Sequence, residues 1–306
     1  MQLNIQELEK EREFILRLEL DVKKRLDGML HGDYLGLIPG QGSELGETRK
    51  YQPGDDPRRI DWNVTARLTD PHIRETIADR ELTTWLIVDS SPRSQLGTAK
   101  YEKHDLILAG CATIGFLTSG SGNRIGAHIV SGDADQIIPP KSSRKHLLQI
   151  LHTIINSKPE DGAGVTNLEK AITKVGTIAK QRSLIVVISD FIVEENWQYA
   201  INAAAQKHEV LAIQTKDAAD STLPNVGPIL LRDPATGEVV EVDTHKKEIR
   251  NKFAEAARLR QDKLSNALLS SGVDHLILST DSDWVTDVFQ FISTRKAKMS
   301  SRKRNL

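Results

Sequence analysis

The chain has 306 residues, 39% hydrophobic and 27% charged, and a formal net charge of −1. That balance describes a globular protein with a sizeable core and excludes a dedicated nucleic-acid surface, which would carry a marked basic excess. The single cysteine, Cys111, excludes an intrachain disulfide, and its apolar neighbours read as core.

The first thirty residues place Ile5, Leu8, Ile15, Leu18, Val22, Leu26 and Met29 at steps of three, four and seven. This spacing predicts an amphipathic helix that ends near Gly28 and Gly32. Such a helix packs on its own domain or serves a partner. Met1 to Lys24 is too highly charged for a secretory signal. The most apolar stretch, 105–119, is shorter than the ~20 residues that span a bilayer. A cytoplasmic location without membrane insertion is the expectation.

Residues 33–82 are rich in Gly, Pro and paired charges. Pro53-Gly54 suits a type II turn, and Asp56-Pro57 an N-cap followed by proline. They predict a short helix from Pro57 to about Arg67, with Ile60 and Val64 inward and Trp62 as an apolar anchor. The charges of 55–67 form an internal ion-pair lattice or a docking face. His72 to Glu81 reads as extended.

Strand and helix then alternate, the pattern of a doubly wound, mostly parallel α/β sheet. Strands are predicted at Thr83–Asp89, Arg124–Val130, Gln136–Ile138, Ser183–Asp190, Val210–Gln214 and His275–Leu278. Helices are predicted at Tyr101–Thr118, Ser142–Asn156, Asn167–Ala179, Glu195–Lys207, Lys246–Leu269 and Trp284–Arg295. In the long helix Phe253, Ala256, Leu259, Leu264 and Leu268 form the apolar set. A hairpin within 224–244 turns at Asp233-Pro234-Ala235-Thr236-Gly237. The expected organisation is therefore 1–82, an N-terminal helix and irregular α+β block; 83–295, the sheet domain; and 296–306, a basic tail. That tail, with Lys296, Lys298, Arg302, Lys303 and Arg304, is expected to be disordered or to bind an acidic surface weakly.

Polar chemistry in such a sheet gathers at the C-terminal strand ends. There stand Asp89 and Ser91, then Thr166 in a Gly-Val-Thr-Asn-Leu loop, then Asp190. Two carboxylates with hydroxyls between them are hard oxygen ligands suited to Mg²⁺ or another divalent cation. These positions resemble the metal-ion-dependent adhesion site of von Willebrand factor A domains, whose first strand ends in Asp-x-Ser-x-Ser. The resemblance implies that Asp89, Ser91, Thr166 and Asp190 hold the ion. Position 93 departs from it, since Arg93 stands where the second serine is expected and Ser94 is one residue out of register. A guanidinium has no lone pair for a metal. Arg93 either turns away and leaves water in that place, or turns inward and neutralises Asp89 and Asp190 in a metal-free site. The remaining reading treats these residues as strand-end caps.

The run Arg49 to Arg67, with Tyr-Gln-Pro-Gly-Asp-Asp-Pro-Arg-Arg-Ile-Asp-Trp at its centre, resembles a bacterial family catalogued as domain of unknown function 58. The Asp233–Gly237 turn and the stretch Leu278 to Trp284 resemble it too. The resemblance implies a von Willebrand A-like domain and a partner, a MoxR-type AAA+ ATPase or its client. It implies a non-enzymatic adaptor in chaperone-like assembly or metal insertion. The alternative from the residues alone is a Mg²⁺-dependent phosphohydrolase with Asp89 as nucleophile. However, the second carboxylate of an Asp-x-Asp pair is Ser91 here. No phosphate-binding Gly-x-x-x-x-Gly-Lys loop, His-Glu-x-x-His pair or Gly-x-Ser-x-Gly elbow occurs in the chain.

Overall fold

The computed structural model describes residues 5–26, 48–52, 55–57, 60–67, 70–74, 82–118, 123–132, 134–157, 159, 164–193 and 196–304. Its centre is a six-stranded sheet of β3 (Thr83–Asp89), β4 (Arg124–Ser131), β5 (Ala134–Lys141), β6 (Leu184–Ser189), β7 (Glu209–Lys216) and β10 (Asp274–Ser279). The spatial order is β10-β7-β6-β3-β4-β5, with every neighbour parallel except the β4–β5 pair. Numbered along the chain, that is the 3-2-1-4-5-6 order of doubly wound sheets, and its switch point lies between β3 and β6.

Strand residues alternate between the two faces because the side-chain period is two. Leu86 and Val88 join one buried cluster, and Trp85 and Ile87 the other. The first face is covered by α1 (Ile5–Leu20), α3 (Lys103–Thr118), α4 (Arg144–Asn156) and α8 (Trp284–Arg304). The second is covered by α5 (Leu168–Ile178), α6 (Trp197–Lys207) and α7 (Lys247–Ser270). Each large apolar side chain buried this way stabilises by roughly 1.5–3 kcal/mol before entropy is counted.

The N-terminal helix packs on its own chain. Ile15, Leu18 and Val22 enter the first cluster, and the buried Glu19 accepts a 3.0 Å bond from Arg144 Nε on α4. Its last stretch, Asp21–Leu26, is a π-helical turn, whose Arg25 reaches Asp283 Oδ2 at 2.5 Å. Gly28 and Gly32 lie outside the described residues.

Between helix and sheet domain, β1 (Thr48–Lys50) pairs antiparallel with β2 (His72–Arg74). The helix expected over 57–67 shrinks to α2 (Trp62–Thr65). Trp62 is not an anchor, being 70% exposed; Ile73 is buried in its stead and bridges Ile60. Asp61, buried just before this short turn, accepts from Val64 N at 3.3 Å. Beside the segment 55–67, where the ion-pair lattice is expected, Lys50 pairs with Asp70 at 2.5 Å; Pro53-Gly54, Arg58 and Arg59 lie outside the described residues.

Other differences follow local chemistry. The strand expected at Gln136–Ile138 runs Ala134–Lys141 because it pairs along β4. In α7 the buried residues are Ala257, Leu264 and Leu268, while Leu259 is 55% exposed. Spacings of seven and four hold one stripe, and Ala256 and Leu259 fall outside it. The last helix does not stop at Arg295 but continues to Arg304. Its Lys, Ala, Met and Arg residues favour helix, and neither Gly nor Pro interrupts them. The basic tail is therefore helical through Arg304.

Hairpin β8 (Pro228–Arg232) and β9 (Val239–Asp243) forms where the sequence predicts it. Gly237 closes its turn at φ 76°, donating to Asp233 O at 2.7 Å. Among the described residues no helix is long and apolar enough to cross a membrane.

Candidate functional site at the sheet switch point

The C-terminal ends of β3 and β6 bring the sequence-predicted residues together. Asp89 Oδ1 accepts from Thr166 Oγ1 at 2.8 Å and from Ser91 N at 3.0 Å. Asp89 Oδ2 accepts from Ser189 Oγ at 2.6 Å. Ser189, the last residue of β6, is a member of the site that the sequence reading missed. Its hydroxyl also accepts from Phe191 N at 3.0 Å. Thr166 arrives on the loop before α5, whose N-cap Asn167 accepts from Lys170 N at 2.6 Å.

Asp89, Ser91, Thr166 and Asp190 are all buried, none more than 7% exposed. Burial, and secondarily the charge of Asp190, push the Asp89 carboxyl above its ordinary pKa. Its three hydrogen bonds pull the other way without prevailing. Asp190 is held by a different set of donors. It accepts from Ile192 N at 2.9 Å and from Lys103 Nζ at 3.1 Å.

Lys103 is the second residue that the sequence reading missed. It stands at the start of α3 yet is only 1% exposed, and its Nζ also donates to Asp220 Oδ1 at 2.8 Å. Burial alone would lower its pKa, but Asp190 and Asp220 together raise it, so the ammonium stays charged. A lysine in the first turn of a helix normally points to solvent, so no periodicity signals this one.

Arg93 turns away from Asp89 and Asp190. It sits in the 3₁₀ turn Pro92–Gln95 and grips Asp233 of the hairpin turn, Nε to Oδ1 at 3.1 Å and Nη2 to Oδ2 at 2.5 Å. Its Nη1 donates to Ile192 O. Phe191, at φ 55°, turns the chain so that Ile192 offers its N–H to Asp190 and its carbonyl to Arg93. Gly164 N donates to Ala235 O at 3.1 Å, and Ala235 is 1% exposed. The hairpin turn is thus seated on the rim from two sides. Ser94, the out-of-register serine, bonds back to Ser91 O at 2.7 Å instead of facing Asp89.

Two further features complete the edge. Asp217, at the end of β7, accepts from Thr98 N, Thr98 Oγ1, Ala219 N and Thr280 Oγ1 at 2.6–2.8 Å. It ties three loops together. A cleft of about 240 Å³ opens beside Asp190 and Asp220, walled by Phe191, Gln214, Ala257 and Leu264.

Both oxygens of Asp89 and both of Asp190 are engaged by protein donors, and Lys103 supplies the positive charge between Asp190 and Asp220. Among the described residues no group of three or more His, Cys, Asp or Glu side chains stands where it could hold a metal ion.

A family model described as "Protein of unknown function DUF58" matches residues 47–263. The uncharacterized protein Rv1480 of Mycobacterium tuberculosis (strain H37Rv) is 47% identical over 280 residues, 91% of this chain and 88% of that one. Among solved structures, the conserved hypothetical protein BatB from Bacteroides thetaiotaomicron aligns with a TM-score of 0.41 at 15% identity, over 71% of this chain and 99% of that one. The SpRpn10 VWA domain aligns with a TM-score of 0.39 at 12% identity, over 68% and 93%.

Proposed function

The chain belongs to the DUF58 family of proteins of unknown function, and from that membership and the rim geometry we propose that it is a cytoplasmic, non-enzymatic adaptor. It docks a MoxR-type AAA+ ATPase, or that ATPase's client protein, through the von Willebrand A-type rim at the β3–β6 switch point. The observation that carries this reading is the state of Asp89. It is 3% exposed and accepts hydrogen bonds from Ser91 N, Thr166 and Ser189. A phosphate-accepting carboxylate needs exposure to its substrate and an in-line approach. A buried one held by three donors instead keeps loops in register.

What the rim offers to a partner is its outer layer. Leu96 is 47% and Val165 39% exposed, in loops that respectively precede α3 and α5. The Arg93–Asp233 pair lies at the same edge. The buried residues beneath set the shape of these loops, so binding and loop movement are linked.

The test is a pulldown of the MoxR-type ATPase with wild type, Asp89→Ala and Asp190→Ala, each checked for folding by circular dichroism. Loss of capture by folded variants is expected. Equal capture by all three would sink the role of this rim. Turnover of a generic phosphate ester that disappears in Asp89→Asn would favour the phosphohydrolase alternative instead.

A further inference from the structure

We infer that the Lys103 ammonium supplies the counter-charge that a metal would otherwise give Asp190, so that the docking site works without a divalent metal. The motif resemblance implies an ion held among Asp89, Ser91, Thr166 and Asp190. In the structure the counter-charge to Asp190 arrives from α3 instead, with Lys103 Nζ 3.1 Å from Asp190 Oδ2 and 2.8 Å from Asp220 Oδ1. An ammonium has three donors and no acceptor, so two of its three hydrogens are satisfied by carboxylates. The side chain is 1% exposed, which leaves no solvated position to which it can retreat.

The alternative cation, Arg93, is engaged elsewhere, since its guanidinium is committed to Asp233 and the Ile192 carbonyl. The loop before α3 holds Lys103 in place. Lys103 N donates to Leu96 O at 2.9 Å, while Lys100 N and Tyr101 N both donate to Thr280 O. A divalent ion at Asp190 would face a fixed positive charge at hydrogen-bonding distance from its own ligand, which disfavours it strongly in a buried site.

This inference deepens the docking reading of the same rim, but its test uses no partner, so the two fail separately. The full chain, stripped with EDTA, is titrated calorimetrically with Mg²⁺ and with Mn²⁺. No saturable binding at millimolar metal is expected for wild type. Lys103→Met removes the competing charge, and Mn²⁺ binding should then appear, roughly tenfold or more tighter than in wild type, and vanish again with Asp190→Asn added. Saturable wild-type binding that Asp190→Asn abolishes would overturn the inference. So would a folded Lys103→Met that binds no ion. Should Lys103→Met not fold, ¹H–¹⁵N spectra of the wild-type lysine ammonium groups decide. A solvent-protected signal absent in Lys103→Arg and unmoved by Mg²⁺ is expected; its absence, or its displacement by Mg²⁺, refutes the assignment.

Discussion

Arg93 and Asp233, 140 positions apart in the chain, form a two-pronged ion pair that clamps the hairpin turn to the edge of the sheet. The parallel geometry of the two bonds is that of a guanidinium facing a carboxylate, which a lysine would not reproduce. The arginine that breaks the adhesion-site motif is therefore the residue that joins the hairpin to the rim. This contact more than offsets the desolvation of Asp233 and holds its carboxyl below the ordinary range.

Replacing Arg93 by serine restores the motif but removes the clamp. A loss of about 1–2 kcal/mol is expected, because the pair is only partly exposed and charge-assisted on both prongs. Asp233→Asn should cost a similar amount. In a double-mutant cycle read by urea unfolding, the two should be non-additive by about 1 kcal/mol. Strict additivity would mean that the pair contributes nothing.

Acid should destabilise the edge through Asp217. Although burial raises its pKa, four donors hold the carboxyl down to about 2. A folded pKa below the unfolded one gives stability that is present above the unfolded value, near 3.9, and is lost as pH falls toward the folded one. Stability should fall between about pH 4 and pH 2, by on the order of 1–2 kcal/mol from this group. Asp217→Asn, compared with wild type by thermal unfolding across that range, should lack this part of the slope.

Asp89 works with the opposite sign. Its folded pKa is raised, so its contribution is complete below the unfolded value and is lost as pH rises through the folded one. Asp89→Asn carries no such dependence. The stability difference, wild type minus variant, should therefore grow as pH is lowered through that window. A difference independent of pH would show that the buried carboxyl is not perturbed in this direction.

Gly97 leaves no room for a side chain. A Cβ built there would stand 2.5 Å from both Glu102 Cα and Tyr101 O, atoms of the backbone that leads into Lys103. Gly97→Ala must displace that loop, at a cost of about 1–3 kcal/mol. The expected signs are a lower denaturation midpoint and faster hydrogen exchange at the start of α3. An unchanged midpoint would mean that the loop yields freely.

Much of this fold was legible along the chain. Apolar runs such as Trp85–Val88 and Leu184–Ile188 can be satisfied only with both faces covered, which demands a parallel sheet wrapped in helices. The turn at 233–237 was legible because its residues carry the chemistry of a reversal. In the site, Asp89, Ser91 and Thr166 could be grouped because strand ends converge, and Asp89 does bond to the other two.

What the sequence could not say is where the cations go. Arg93 reads as a broken metal motif, and Lys103 carries no signal that singles it out. Trp62 reads as a buried anchor. Each reading treats a side chain by its local pattern, whereas its fate depends on partners brought from far away: Asp233 to Arg93, Asp190 and Asp220 to Lys103. Local periodicity determines which residues form strands and helices, because backbone geometry repeats. The pairing of charges at the rim is decided only when the tertiary fold removes water from them, since a buried charge must find its counter-charge wherever in the chain that lies.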